Sequence, residues 1–448
     1  MNITSTIDSK TSLFKLTWPI FIELVLQMLV NNVDQLMVSG ISEKAVAAVG
    51  NANQIMNVLL LIFSVITMAT IILVSQYLGA NDRENVDEVY SVAVFTNVFF
   101  SLLISIILLF FNKPIFKFMK LPSELLGDAS IYIRIIGGGV FLQALFLTYS
   151  AILRSNGLIK QGMYISLIIN IVNIIGNLTL LKGYFGLPKL GVAGVAISSV
   201  FSRLIGVIII MYVFKKHISE RISFYYLKHF PIDIFKKLMR IGIPSGGEAI
   251  SYSVSQMVIL IFINTMGTTA IAAKSYVAIV VWFSYLFSAA VAQGNQIRVG
   301  YLIGADKEDE AYKDVLDTLK PALIVTIIMA VIVYLSSDLL LGVFTNNPEI
   351  FKIGKTLLFI DIFLEIGRTF NMVIVKGLQV AGDIRYPTLI GILFEWVIAT
   401  GLSYVLGITF GLGLAGIWIA MMIDECSRAI ILYIRWKKGK WRAINLVS

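Results

Sequence analysis

Two acidic and two amide side chains share one face of an apolar stretch near the start of the chain. Spaced at i, i+4, i+8 and i+11, they are Glu23, Gln27, Asn31 and Asp34. The apolar run 16–38 is long enough for a helix that crosses a bilayer. An ionisable group inside a membrane costs at least about 2.5 kcal/mol, so its default role is in an ion or substrate path. The stripe predicts a protein that moves charged solutes, with Asp34 accepting a proton or a metal ion.

A second polar stripe lies on the fifth predicted helix. Its members recur at i, i+4, i+7 and i+11 and are Ser166, Asn170, Asn173 and Asn177. Amide groups offer carbonyl oxygens to a cation or hydrogen bonds to a protonated acid, so Asn173 and Asn177 are candidates for the Asp34 site together with Asn31. Amides of this kind also join neighbouring membrane helices, and that alternative stays open.

The second half of the chain carries a different polar group, predicted to bind substrate. Its residues, with Glu23 of the first half, are Glu248, Tyr252, Gln256, Glu365, Arg368 and Asn371. Glu365 and Arg368 lie three residues apart and can form a purely structural ion pair. Over all predicted spans the acids outnumber the bases eight to six, which favours a cationic cargo.

Two prolines lie inside predicted helices, each four residues before a glutamate of these polar groups. They are Pro19 and Pro244. Proline removes a backbone hydrogen bond and bends a helix, so both positions are candidate gating hinges.

Composition fixes the class of protein. Hydrophobic residues form 58% of the 448 residues and charged residues 14%, against about 45–50% and about 25% in soluble domains. The chain therefore reads as an all-α membrane protein. Twelve helices are predicted at 16–38, 45–78, 91–111, 130–153, 163–181, 190–214, 241–264, 270–302, 318–342, 356–380, 386–410 and 412–434.

The lysines and arginines predict the orientation. The predicted cytoplasmic segments hold 22 of them and the opposite loops eight, which places both termini in the cytoplasm of a multi-pass protein of a bacterial plasma or inner membrane. Because the bases collect in loops on one side, the net charge of +9 does not indicate nucleic-acid binding. Residues 1–15 lack the order of a cleaved signal peptide.

The two halves repeat each other. A constant shift of 225 residues matches Pro19 with Pro244, Glu23 with Glu248, Gly79 with Gly304, and Gly157 with Gly382. An even number of helices per repeat predicts two six-helix lobes related by a pseudo-two-fold axis along the membrane normal. The predicted boundaries are an N-terminal lobe at 1–214, a basic cytoplasmic linker at 215–240, and a C-terminal lobe at 241–448 with a basic tail.

Several classes of function lack their motifs. The G-x-G-x-x-G pattern at 411–416 opens a membrane helix and follows no strand, so it does not indicate a nucleotide site. No Walker motif is present, and one cysteine with two linker histidines makes a zinc site improbable. We expect neither an enzyme nor a cofactor, and no metal beyond a transported Na⁺.

Four segments resemble patterns of the multidrug and toxic compound extrusion (MATE) family. They are VDQLMVSG at 33–40, AVAAVG at 45–50, LGVAGVA at 190–196 and AGDIRYP at 381–387. The resemblance implies an antiporter in which inward flow of protons or sodium drives export of small amphiphilic, often cationic, compounds. The protein would rock between two open states, and a monomer is expected.

The resemblance also assigns roles. Asp34 matches the first-helix aspartate that family members use as an ion site, and Asn173 matches an asparagine partner. At Asn177 many members carry an aspartate, and its loss here favours protons over sodium. The alternative function is a flippase for lipid-linked oligosaccharides or lipids with the same overall fold. Such flippases handle anionic headgroups and would need unpaired bases in the cavity.

Overall fold

The computed structural model describes residues 12–183, 188–218, 222, 225–444 and 446. This part of the chain is helical and contains no strand. The first half forms α1 Leu13–Ser39, α2 Glu43–Gly79, α3 Arg83–Phe118, α4 Leu126–Gly138, α5 Val140–Ser155, α6 Ile159–Lys182, α7 Gly191–His217 and the short α8 Tyr225–Lys228. Apolar residues all round the longer helices, rather than along one stripe, suit them to lipid.

The second half repeats the pattern. It forms α9 Ile232–Asn264, α10 Thr268–Gly304, α11 Glu308–Leu335, α12 Ser337–Gly342, α13 Pro348–Val380, α14 Arg385–Phe394, a π-helical segment Glu395–Thr409, α15 Gly413–Lys437 and a 3₁₀ turn Lys440–Ala443. The π-helical segment continues α14, so the two form one element of 25 residues, 385–409.

The number of membrane-spanning elements agrees with the sequence prediction. Within the described residues, nine elements are long and apolar enough to span, and α4 with α5 makes a tenth span bent by 44°. The remaining long helices, α13 and α15, have 33 and 25 residues and carry the charged side chains of the second half. The prediction of an all-α membrane protein with twelve spans is confirmed.

The described chain divides into two compact units. One contains Ile22–Leu78 and Asp82–Gly242, and the other contains residues 12–21, Gly79–Asn81 and Ile243–Ser448. The first turns of α1 thus belong to the second unit, where Leu16 and Thr17 lie against Gly294 of α10.

Repeat-related residues occupy corresponding places in the two cores. Ala45 and Ala48 of α2 are fully buried in the core of the first unit. Ala270 and Ala273 of α10, 225 residues later, are buried in the core of the second unit. Small side chains at these positions let neighbouring membrane helices approach closely.

The turns between helices repeat as well. Asn81 has a φ of 58° and Asp306, its counterpart, 57°. Gly157 has a φ of 76° and Gly382 one of 90°. Backbone geometry that side chains disfavour thus recurs at the same offset as the sequence matches, which composition alone does not explain.

The two candidate hinges lie inside unbroken helices. Pro19 is in α1 and Pro244 is in α9. Their role as gating hinges remains a prediction.

Replacing Gly382 by alanine should destabilise the protein by about 1–2 kcal/mol, because an L side chain is strained at positive φ. The added Cβ would also lie 2.9 Å from Cγ2 of Ile444. Thermal unfolding in detergent measures the change. Gly127→Ala is the matched control, since a Cβ there meets nothing within 4 Å. Equal unfolding midpoints for the two variants would contradict this interpretation.

Candidate functional site

The Asp34 carboxylate is buried in the first unit and accepts two hydrogen bonds. Its side chain is only 3% exposed. The amide of Asn177 donates to Oδ1 over 2.6 Å, and the hydroxyl of Ser199 donates to Oδ2 over 2.7 Å. Both oxygens are therefore held by neutral donors from α6 and α7, at distances typical of bonds to a charged acceptor.

Asn173 extends this network by one step. Its Nδ2 donates to Oγ of Ser199 over 3.0 Å, and its Oδ1 accepts from Asn177 over 3.3 Å. The predicted grouping of Asp34, Asn173 and Asn177 is thus present in space. The side chain of Asn31, also predicted here, lies outside the described part of the structure.

Close packing of α6 on α7 positions these donors. A Cβ on Gly176 would lie 2.3 Å from Oγ of Ser198, and one on Gly194 would lie 2.9 Å from Leu180. One glycine on each helix therefore permits an approach that side chains would block. The approach brings Ser199 within reach of both Asn173 and Asp34.

The nearest basic group leaves Asp34 without an ion pair. Arg203, one turn beyond Ser199, interacts electrostatically with both Asp34 and Tyr132. Within the described chain, Asp34 has no basic nitrogen within the 4.0 Å of a salt bridge. The carboxylate is thus free to change its charge without breaking a direct contact to an arginine.

One polar atom beside Asp34 has no partner. Oδ1 of Asn177 is buried and makes no hydrogen bond. An unsatisfied buried acceptor costs about 1–3 kcal/mol, so it is rarely left without a reason. A protonated Asp34 is a hydrogen-bond donor, and this oxygen lies on the amide already bonded to it.

Glu23, the other acid of the first-helix stripe, is ion-paired. Its carboxylate is fully buried and binds Nη2 of Arg154 at 2.7 Å and Nε at 3.2 Å. Ser150 and Gln27 also donate to it, over 2.8 Å and 3.3 Å. Arg154, counted among the cytoplasmic loop bases in the sequence, is in fact a buried partner of Glu23, and this placing was wrong.

In the second unit, two arginines bind a group of carboxylates. Arg368 contacts Glu365, as the sequence predicted, and its Nε lies 3.8 Å from Glu425. Asn371 donates to Oε2 of Glu425 over 2.7 Å. Three predicted residues on α13 thus meet an acid of α15.

Arg428 is the second arginine of this group. It lies 2.9 Å from Glu425, 3.1 Å from Asp424 and 3.8 Å from Glu395. With Asp361 also interacting with Arg368, five carboxylates face two guanidinium groups. We call these seven residues the α13–α15 charge cluster.

The α13–α15 charge cluster has unused acceptors. Oε2 of Glu365, Oε2 of Glu395 and Oδ1 of Asp424 are buried and have no hydrogen-bond partner. Their charges are only partly compensated, because acids outnumber arginines by three in the cluster when all are ionised. Such a site can take up positive charge, whether as protons or as a cationic ligand.

Glu248 lies beside this cluster. Thr388 donates to its Oε2 over 3.3 Å, and a Cβ on Gly391 would lie 2.8 Å from its Oε1. Its carboxylate interacts electrostatically with Arg428 and Lys376. Glu248 is therefore near bases of other helices, although its own helix offers none.

The two other seventh-helix candidates lie nearer the surface of the unit. Tyr252 is 46% exposed and interacts electrostatically with Arg368, and Gln256 is partly buried. The predicted second site is thus present as Glu248 with part of α13. Glu23 lies apart from it, in the first unit.

Sequence reasoning missed three functional partners. Ser199 bonds Asp34, Arg154 pairs with Glu23, and Glu425 joins both arginines of the α13–α15 charge cluster. A signal existed for Ser199, which follows the Gly191–Gly194 segment on the helix after the asparagine stripe. Arg154 had none beyond being a charged residue at a helix end.

The fold and its buried charges are those of a membrane transporter. A family model described as MatE matches residues 19–179 and 244–405, once in each repeat. The chain therefore belongs to the MatE family. The prediction of a multidrug efflux transporter rather than an enzyme is confirmed at the level of this family, whose transport needs no cofactor.

Relatives over the whole length agree. The chain is 41% identical to "Uncharacterized transporter YisQ" of Bacillus subtilis strain 168, covering 97% of this chain and 95% of that protein. It is 25% identical to "Probable multidrug resistance protein NorM" of Thermotoga maritima, covering 97% and 93%. The alignments leave neither protein with a large unmatched domain.

Solved structures share the fold. A MATE structure in a bent conformation superposes with a TM-score of 0.89 at 20% identity, covering 97% of each chain. A transporter of the MOP superfamily from Pyrococcus furiosus, reported with a binding pocket of reverse polarity, gives 0.88 at 20% identity over 97% of each chain.

Replacing Arg154 by methionine should destabilise the protein by about 3–5 kcal/mol, because it leaves the buried Glu23 charge unpaired. Adding Glu23→Gln to that variant should recover most of the loss, since both charges are then gone. Unfolding midpoints in detergent measure both changes. A double variant no more stable than Arg154→Met would show that the ion pair is not the source of the effect.

Proposed function

We propose that the chain is a secondary antiporter that exports small amphiphilic cations in exchange for protons by alternating access. The observation that carries the proposal is the buried Asp34 carboxylate, held by neutral donors and lacking an ion pair. A charge buried in this way can be neutralised by a proton, which weakens its grip on α6 and α7. The relatives named multidrug resistance proteins support export of drugs.

Protonation changes the hydrogen bonds of Asp34. An ionised carboxylate only accepts, and it uses Asn177 and Ser199 as donors. Once protonated, it must also donate, so the donors around it have to rearrange, and Oδ1 of Asn177 is available as the acceptor. The helices bonded to Asp34 would thus differ in packing between the two protonation states, which is the two-state element that alternating access requires.

The donors around Asp34 favour a proton over sodium as the coupling ion. A hard metal cation is held by several oxygen ligands. Here the Asn177 amide presents its N–H₂ group to the carboxylate, and Asn173 presents its N–H₂ group to Ser199. Sodium coupling remains the second candidate.

The α13–α15 charge cluster with Glu248 is the proposed cargo site. Its partly compensated carboxylates attract a cation, and the arginines keep the site from holding the cation too tightly. An excess of acids also disfavours the flippase alternative, since an anionic headgroup would be repelled. We further propose a monomer in a bacterial cell membrane with both termini cytoplasmic, residues 215–240 linking two lobes, and hinges at Pro19 and Pro244.

Replacing Asp34 by asparagine should abolish proton-driven export while leaving the protein folded, because the amide cannot gain or lose a proton. Uptake of a fluorescent cationic dye into proteoliposomes measures this. Asp128→Asn, an exposed acid of α4, is the control and should transport normally. Dye transport by Asp34→Asn at the rate of the wild type would refute the proposed coupling.

An imposed pH gradient alone should drive dye transport, and a sodium gradient alone should not. The reason is that N–H donors, rather than oxygen ligands, surround Asp34. Both gradients can be set separately in the same proteoliposomes, with an ionophore as the control that abolishes each. Transport driven only by sodium would contradict proton coupling and leave the role of Asp34 as an ion site open.

Replacing Glu365 by glutamine should weaken binding of a cationic dye about tenfold, because a charged hydrogen bond contributes about 1.5–3 kcal/mol. Binding of a neutral dye of similar size should not change. Fluorescence titration of the purified protein measures both. Asp338→Asn is the control, since its pair with Lys355 is exposed at the surface. Equal loss for both dyes would indicate general damage rather than charge recognition.

A further inference from the structure

The segment between the two halves exposes apolar and aromatic side chains in an unusual place. Tyr225, Leu227, Phe230 and Ile232 are 61%, 55%, 38% and 53% exposed. They lie in or next to α8, outside the spanning helices, where water rather than lipid would be expected. Four such side chains in eight residues form a patch that a soluble surface seldom carries.

Basic side chains flank this patch. Lys215 and Lys216 end α7, Lys228 ends α8, and all three are exposed. The ammonium group of Lys216 lies 5.8 Å from the ring centre of Tyr212, itself exposed. Lysine beside exposed aromatic rings is the pattern found where a protein meets the headgroup region of a bilayer.

The chain keeps α8 close to the membrane surface. Seven residues separate His217 from Tyr225, and three separate Lys228 from Ile232. Three residues reach at most about 10 Å even when fully extended. Since α7 and α9 both span the bilayer, α8 cannot move far from the plane in which they emerge.

One side of α8 is occupied by protein, and this fixes which side is free. Tyr226 interacts with Glu84, Asp87 and Glu88 at the start of α3. The acidic side chains thus face the side of α8 that packs on α3. The exposed side carries Tyr225, with the ring of His229 stacked 4.3 Å away, together with Leu227 and Lys228.

We infer that Tyr225–Ile232 is an interfacial anchor: its apolar side chains insert at the acyl boundary of the cytoplasmic leaflet, and Lys215, Lys216 and Lys228 bind anionic lipid headgroups. Each lysine near an anionic surface contributes about 1 kcal/mol, so three give a clear preference for anionic over zwitterionic lipid. The anchor is independent of the proposed cargo and coupling ion.

Lipid retention tests the headgroup part of the inference. The purified protein is equilibrated with phosphatidylglycerol or phosphatidylcholine, and bound lipid is counted by native mass spectrometry. The variant Lys215→Gln/Lys216→Gln/Lys228→Gln should bind phosphatidylglycerol at least about fivefold more weakly than the wild type. The control Lys113→Gln/Lys189→Gln/Lys352→Gln removes three exposed lysines elsewhere and should bind it normally. Equal retention by the two variants would overturn the inference.

Spin labelling tests the depth of the anchor. Leu227→Cys in a Cys426→Ser background carries the label, and Lys307→Cys serves as the water-exposed reference. In vesicles containing phosphatidylglycerol, the label at 227 should collide more with oxygen, which dissolves in lipid, than with a water-soluble nickel complex. The reverse preference would show that α8 faces water or a soluble partner protein, and would overturn the anchor.

Discussion

The first unit depends on one buried carboxylate that has donors but no counter-ion. Burying the charge of Asp34 is unfavourable, and only the bonds from Asn177 and Ser199 offset that cost. Those bonds require α6 and α7 to pack closely, which the glycines at 176 and 194 permit. The position of two helices and the charge of one side chain are therefore linked. This link is what an ion-driven transporter needs.

The two repeats use their shared backbone for different chemistry. Asp34 corresponds to Ile259, which is buried in an apolar core in the second unit. Conversely, Arg203 corresponds to Glu425, by the shift of 222 residues that aligns the Leu-Gly-x-Ala-Gly segments. One unit thus isolates a single acid, and the other gathers five acids around two arginines. Divergence of this kind separates an ion site from a site for a larger cation.

The sequence predicted what depends on local periodicity. Twelve spans, the repeat and the stripes on α1 and α6 follow from the spacing of residues along one helix, and the observed helices extend the predicted ones by a few residues. Contacts between helices could not be predicted in this way. Ser199 is 165 residues from Asp34, and Arg154 is 131 residues from Glu23. The π-helical geometry, with Thr400 bonding the carbonyl of Glu395 five residues back, has no periodic signal either.

The central claim is that the Asp34 side chain takes up a proton inside the folded protein. Infrared difference spectroscopy of the reconstituted protein between neutral and acidic buffer observes this directly, through the C=O band of a protonated carboxyl group. The wild type should show a band that is absent from Asp34→Asn, with the remaining bands of the other acids unchanged. Superimposable difference spectra from the two proteins would contradict the account.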